Sequence, residues 1–584
     1  MNSLADAESI LVVDVGMITT RAILFDIVDG RYRFVAKGAA ATTAFAPYRN
    51  IAEGVRLALD NLQSVTGRVL IGANQQLIIP SPGDGSGVDR FAATISAGDP
   101  LKIVVVGLLE DVSAESARRL AHSTYSEVLQ TISLNDHRKH DARLNLIIRA
   151  RPDLLLIAGG TNGGASKSLM SLMETIGLAC YLLPESNRPD VLFAGNQSVG
   201  DDVKLSMEGL TTVHLAPNIR PTLELERLDA AQAAVASYYI DERVNRLPGA
   251  EELKAWAGEG MMPSATAFGR VVRFLSAFLR DKKGVLGVDL GASAVTVSAA
   301  LDSELSLSVY SHLGLSSGAA KLLEHISVEE ILRWATIEIS SKELQEYLLN
   351  KSLHPQTVPA TLDEMQIEQA IARQLLREAI RLARPGFPAK LLQIGDGSLP
   401  SFEPILATGS ILTNAPGPAS SALLLLDGLQ PVGITTLVLD QNQIASAVGA
   451  AAVFSPLLAV QVMDSNSFLN LGTVIAPVVN VKPGQPVLKI KLTYESGHET
   501  NVEIKQGSLE VLPVPQGQTA RLVIHPLHRA DIGMGAPGRG GSMTVRAGVL
   551  GVVIDARGRP LTLPKDLSKR QELYKKWLWN LEGQ

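Results

Sequence analysis

The sequence predicts an α/β protein in which two halves open with the same device and a β-rich stretch follows. Three observations predict it. Ile10-Leu11-Val12-Val13 is an unbroken apolar run that reads as a buried strand, Asp14-Val15-Gly16 turns it, and Ala22 to Phe25 returns as its neighbour. The pattern comes back at Gly284 to Ser298, where Asp289-Leu290-Gly291 takes the place of Asp14-Val15-Gly16. From about Ser455 the texture changes to short strands separated by Pro483-Gly484, Gly497, Gly507 and Gly517, which predicts a small barrel or sandwich.

In chain order, Arg33 to Ala36 extends the first hairpin, and Ile51, Val55, Leu59 and Leu62 at helical spacing predict a covering helix. Val69 to Gly72 and Lys102 to Gly107 read as strands, the second followed by Ser113 as N-cap of a helix from Ala114. Leu154 to Ala158 is a buried strand running into Gly159-Gly160-Thr161-Asn162-Gly163-Gly164 and a helix from about Ser166. That glycine run either presents amides to a ligand or permits a tight strand-to-helix turn. Val191 to Ala194 and Thr212 to Leu215 continue the strands, Glu224 to Val244 and Ser264 to Leu279 read as helices, and Arg280-Asp281-Lys282-Lys283 marks the crossing to the second half.

In the second half, Leu305 to Val309 completes a meander and Ser327 opens a helix. Leu362 to Ala383 is long and amphipathic, with Ile367, Ala370, Ile371, Leu375 and Ile380 along one stripe. Strands at Ile405 to Thr408 and Thr436 to Leu439 follow, and Asp440 is placed either to cap the next helix or to meet a metal. The β-rich stretch reads as strands at 473–481, 488–494, 499–504, 508–512 and 520–524. Residues 529–541 form a glycine-rich loop that is either a phosphate cradle around Arg539 or a plain connection. Lys565 to Leu581 is a basic helix with Trp577 and Trp579, docked on its own chain or on a partner. The division expected is 1–280, 281–455, 456–564 and 565–584.

Composition bounds the function. At 584 residues several cores are needed, and a net charge of −6 argues against nucleic acid as a partner. The lone Cys180 excludes an intrachain disulfide and a cysteine metal cluster and suits a reducing cytoplasm. Ile444 to Met463 carries no charge, but Pro456 and Gln461 interrupt it, so a buried helix running into a strand is expected rather than a membrane span. No His-Glu-x-x-His pair or Walker loop occurs, and no Asp-x-His-x-x-Gly cobalamin motif, so the chain is not expected to be a mutase itself.

What the two hairpins suit is a phosphate chain: glycine lets backbone amides approach oxygens, Thr or Ser hydroxyls add donors, and an aspartate can hold Mg²⁺ largely through water. With Leu406-Ala407-Thr408-Gly409-Ser410-Ile411-Leu412 and Ile444-Ala445-Ser446-Ala447-Val448-Gly449-Ala450 in the expected order, the sequence resembles the ATPases that share the actin, sugar-kinase and heat-shock-chaperone fold. The resemblance implies a duplicated ribonuclease-H-like, bilobal fold with Mg·ATP or ADP between lobes. Asp14 and Asp289 would be at the metal; Asp14, Gly16, Thr19, Thr20, Gly291, Ala292, Gly409, Ser410 and Gly449 would be around the nucleotide; Asp289, Ser293 and Thr296 would carry any catalysis.

Within that group the chain resembles more narrowly the glutamate mutase L family, accessory proteins of adenosylcobalamin-dependent mutases. The residues that carry this are Leu155 to Gly164, Phe193-Ala194-Gly195-Asn196, Met262-Pro263-Ser264-Ala265-Thr266 and the two hairpins. The implied function is an ATP-binding chaperone or reactivating factor for such a mutase, the alternative being a nucleotide-stabilised, self-associating actin-like scaffold. Met17-Ile18 stands where the family has Ser-Thr, and Ala292-Ser293-Ala294 where it has Gly-Ala-Thr, so a weak ATPase at most is expected.

Overall fold

A computed structural model describes residues 8–258, 260–279, 283–316, 318–392 and 399–582. The first hairpin forms as expected: β1 (Ile10–Val15) and β2 (Thr19–Val28) are antiparallel, with Asp14 opposite Arg21, and β3 (Arg31–Ala41) adds outside β2. On the other side of β1 lies β4 (Arg90–Ile95), parallel to it, a strand the sequence reading placed at 69–72 instead. That earlier stretch makes only an isolated bridge between Ile71 and Leu77.

An inserted unit follows, whose strands β5 (Leu101–Gly107), β6 (Ser126–Ser133), β7 (Leu154–Ala158), β8 (Asp190–Phe193) and β9 (Val213–Leu215) form an all-parallel sheet in the order β6-β5-β7-β8-β9. Then β10 (Met261–Pro263) returns to pair with β4, completing a five-stranded sheet ordered β10-β4-β1-β2-β3. The expected crossing at Arg280-Asp281-Lys282 lies outside the described residues.

The second half repeats the first. β11 (Val285–Leu290), β12 (Val295–Leu301), β13 (Glu304–Tyr310), β14 (Ile405–Thr408) and β15 (Gly433–Leu439) stand in the order β13-β12-β11-β14-β15, with the same parallel and antiparallel pairings as the first sheet. Two copies of this order, each opening with its Asp-x-Gly hairpin, constitute the duplicated actin-like, ribonuclease-H-like α/β fold. The helices Ser264–Leu279 and Ala445–Ala451 cross between the two sheets and share one apolar core with Ile10, Val12, Phe25, Val285 and Ala300. They touch so closely that a Cβ on Gly449 would sit 1.9 Å from the Ala267 carbonyl oxygen.

The strands after residue 455 divide between two sheets. β16 (Leu469–Ala476), β19 (Leu509–Leu512) and β22 (Val552–Asp555) extend the second sheet beyond β15, whereas β17 (Pro486–Tyr494), β18 (Glu499–Lys505), β20 (Thr519–Pro526) and β21 (Gly541–Arg546) form a four-stranded antiparallel sheet packed against them. The helix Leu567–Glu582 docks on its own chain, burying Trp577 and leaving Trp579 exposed. Beneath it lies a buried ionic network. Arg557 donates to both Asp555 oxygens (2.8 and 2.9 Å) and to Asp427 (2.7 Å), Arg559 donates to Asp555 (2.8 Å), and Arg373 donates to Asp427 (2.8 Å) and to the Tyr574 hydroxyl.

Candidate functional site

Because the two hairpins have the same pairing, their turns have the same geometry. The Gly16 N–H donates to the Thr19 carbonyl (3.1 Å) and the Gly291 N–H to that of Ala294 (3.0 Å), and each turn faces a cavity of about 610 Å³ between the halves. Of the expected residues, Asp14, Gly16, Thr19, Asp289, Gly291, Ala292, Ser293, Thr296, Gly409 and Ser410 all line it. Gly409 has φ +115°, and a Cβ there would meet the Leu290 carbonyl oxygen at 2.3 Å, so this turn can lie over the second hairpin only as glycine.

Thr20 and Gly449, unlike the other expected residues, do not line the cavity. Thr20 is fully buried with its hydroxyl 3.0 Å from that of Thr42, which in turn donates to the Gly16 carbonyl (2.7 Å) and so props the first turn from behind. Gly449 serves the close crossing of the two central helices. Asp440, also on the cavity wall, accepts from the Ile444 and Ala445 amides (3.0 and 2.7 Å) and from the Thr408 hydroxyl (3.2 Å), which is the capping role.

The two hairpin acids differ in environment. Asp14 accepts hydrogen bonds from Thr94 (2.7 Å), Ser264 (2.9 Å) and Arg21 (3.4 Å). Asp289 has no comparable set of donors among the described residues; burial, with the Asp14 charge next in importance, pushes its carboxyl up to about 7. The mutual influence of the two acids follows from their places on one cavity wall.

Several residues at the site were not among those expected there. Thr94 and Ser264 reach Asp14 from positions 80 and 250 residues away. Ser264 stood in the Met262–Thr266 motif that carries the family resemblance, without a role at the site assigned to it. Across the cavity, Lys351 donates to Glu368 (2.6 Å) and to the Thr357 carbonyl (2.6 Å), and Tyr347 donates to Glu368 (3.0 Å), fixing the 354–361 loop as the far wall. Tyr125 of the inserted unit closes another side. The glycine run 159–164 is held within the inserted unit by Asn196, which accepts from the Gly163 amide (3.0 Å) and donates to the Gly164 carbonyl (2.6 Å). Neither it nor Arg539 lines the cavity. Among the described residues no set of three or more His, Cys, Asp or Glu side chains converges as a metal site, and no helix is long and apolar enough to cross a membrane.

A duplicated fold whose paired acidic turns face one inter-lobe cavity defines an actin-like protein of the ATPase-fold class. Within that class the chain belongs to the family described as MutL protein, whose model matches residues 10–467. It is similar to Protein MutL of Clostridium tetanomorphum, with 22% identity over 447 residues, 70% of this chain and 94% of that one. Among solved structures it is similar to a glycerol dehydratase reactivase (TM-score 0.29, 10% identity, 77% of this chain and 100% of that one). Another is component A of the (R)-2-hydroxyglutaryl-CoA dehydratase of Acidaminococcus fermentans (TM-score 0.26, 10% identity, 77% and 99%). These overlays are loose, and the fold assignment rests on the strand order.

Proposed function

We propose that the chain binds Mg·ATP or Mg·ADP between lobes formed by 1–280 and 281–455 and acts as an accessory, chaperone-like protein for an adenosylcobalamin-dependent mutase in the cytoplasm. The observation that carries the nucleotide part is the convergence of Asp14 and Asp289 on one cavity; family membership supports the partner. The donor set fits the ion. It is all oxygen, and a carboxylate whose charged form is disfavoured by burial and by a second carboxylate is one that a divalent cation would relieve. Mg²⁺, when bound, would neutralise part of the charge on the acids and the phosphates.

The chain's own groups then have separable tasks. Gly16, Gly291 and Ala292 leave room for phosphate oxygens, Thr19, Ser293 and Thr296 bring hydroxyl donors, and Gly409 with Ser410 borders the nucleoside end beside Ile411 and Val358. Asp289, on the second turn, is the carboxylate placed to orient or deprotonate water. Met17 and Ile18 put side chains without donors on the same wall, which favours a second reading in which nucleotide is bound with little turnover and stabilises a scaffold or homo-oligomer.

A melting experiment tests the reading. Saturating Mg·ATP is expected to stabilise the protein by about 2–4 kcal/mol. Asp14→Asn should remove the magnesium-dependent part, and an undiminished shift would take Asp14 out of the site. Phosphate release that rises on adding a mutase favours the accessory role; binding without release, with concentration-dependent assembly, favours the scaffold.

A further inference from the structure

The two halves meet at a second place, outside the cavity. β13 is the outer edge of the second sheet, and its Val309 N–H donates to the His122 carbonyl (2.6 Å), so a strap from the inserted unit takes up the edge. The His122 ring lies tilted 5.4 Å from that of Tyr310, and the row of ring contacts continues edge-on to His312 (5.9 Å) and from there to His325 (4.6 Å). Burial first, then His312 and Arg118, lowers the His122 imidazole to about 4, so the ring is neutral in this contact. Three residues further along the strap, Tyr125 lies in the cavity wall, packed 5.6 Å from Tyr239. One short run therefore touches the cavity at one end and the second half at the other.

Among the described residues the seam is incompletely satisfied. His122 Nδ1, Thr124 Oγ1, Ser311 Oγ and Arg384 Nε are buried there without hydrogen-bond partners, the last in a turn whose Gly386 packs against Arg119. An unpaired buried polar group costs at least as much as a hydrogen bond returns, and water would satisfy all four on opening. The edge hydrogen bond, the ring contacts and the packing of Val309 in the apolar core around Leu120, Ala121 and Tyr125 hold the seam, and the four desolvated atoms work against them, a mixed balance in which an element can open below global unfolding.

We propose that this seam is a latch between the inserted unit and the second half, with the His122–Tyr125 strap linking it to the occupancy of the cavity. The link rests on the nucleotide reading above; the latch does not. A ligand gripped by both hairpins draws the halves together and shuts the latch, and its departure frees the inserted unit to swing.

Native-state hydrogen exchange on the full chain tests this by comparing the Val309 amide with that of Val297 in the interior strand β12. In the ligand-free protein Val309 should exchange at least about tenfold faster. His122→Ala should accelerate it about tenfold again, and His122→Phe, which keeps a ring against Tyr310 and removes an unpaired nitrogen, should slow it, with Val297 unchanged in both. Exchange of Val309 in step with Val297, or no opposite response of the two variants, overturns the latch. Mg·ATP should slow Val309 about tenfold. A melting shift without that slowing overturns the link to the cavity, whereas the lack of any shift overturns the nucleotide reading and leaves the latch to be decided by the ligand-free comparison.

Discussion

Asp289→Asn is expected to stabilise the ligand-free protein by about 1–3 kcal/mol at pH 8 while removing its magnesium-dependent response to nucleotide. The carboxyl is raised from 3.8 to about 7 in the folded protein. A raised carboxyl is a penalty that is fully present above the folded value and vanishes below the unfolded one. The gain from a neutral amide should therefore hold above pH 7, shrink steadily from pH 7 to pH 4, and be nearly gone at the lower end. The figure is set below a full conversion of the shift because the group borders a cavity open to water. Melting curves of both proteins at pH 8, 6.5 and 5 check it. A gain that stays constant across that range would show that the charge of Asp289 is not what strains the site. Such a trade, in which an apo protein carries destabilising charge so that a ligand can relieve it, is usual at binding sites.

Arg557→Ala should cost about 3–5 kcal/mol, since it leaves buried carboxylates short of a partner. Arg557 is 1% exposed at its side chain, Asp555 0% and Asp427 3%. Burial alone would raise the Asp555 carboxyl; Arg557 and Arg559 outweigh it and hold the group far below the usual carboxylate range. The guanidinium also lies 4.6 Å from the centre of the Trp577 ring, so its loss should loosen the last helix as well. Chemical denaturation followed by tryptophan fluorescence reads both effects. Arg557→Lys, which keeps the charge and loses the paired hydrogen bonds, should fall between the two, and a loss under about 1 kcal/mol in the alanine variant would rule out the network as an anchor.

What could be read in the sequence follows the range of the interactions concerned. β1 and β11 were legible because an apolar run leads into Asp-x-Gly in each, and Leu362 to Ala383 because its stripe is local. β4 escaped because Arg90-Phe91-Ala92-Ala93-Thr94-Ile95 packs with small residues and lacks the branched run that marks a central strand, whereas Val69 to Gly72 has that run and forms no strand. The acids of the site were visible at their turns, whereas the roles of Ser264, Tyr125 and the Lys351–Glu368 pair, and of Thr94 behind Asp14, were not, because only the folded chain brings them together. The same holds after residue 455, where strand pattern was evident but not the sheet each strand would join: β16 pairs in parallel with β22, some 80 residues later.

That late pairing sets the order in which the molecule can mature. β15 finds its outer neighbour only in β16, and β16 only in β22 and then β19. A nascent chain that has emerged as far as residue 455 would carry a raw, sticky flank on its second lobe, open to mispairing with other chains, until nearly a hundred further residues had been made. Trimming the gene to residues 1–455 would freeze the protein in that vulnerable condition, and insoluble material is the expected harvest.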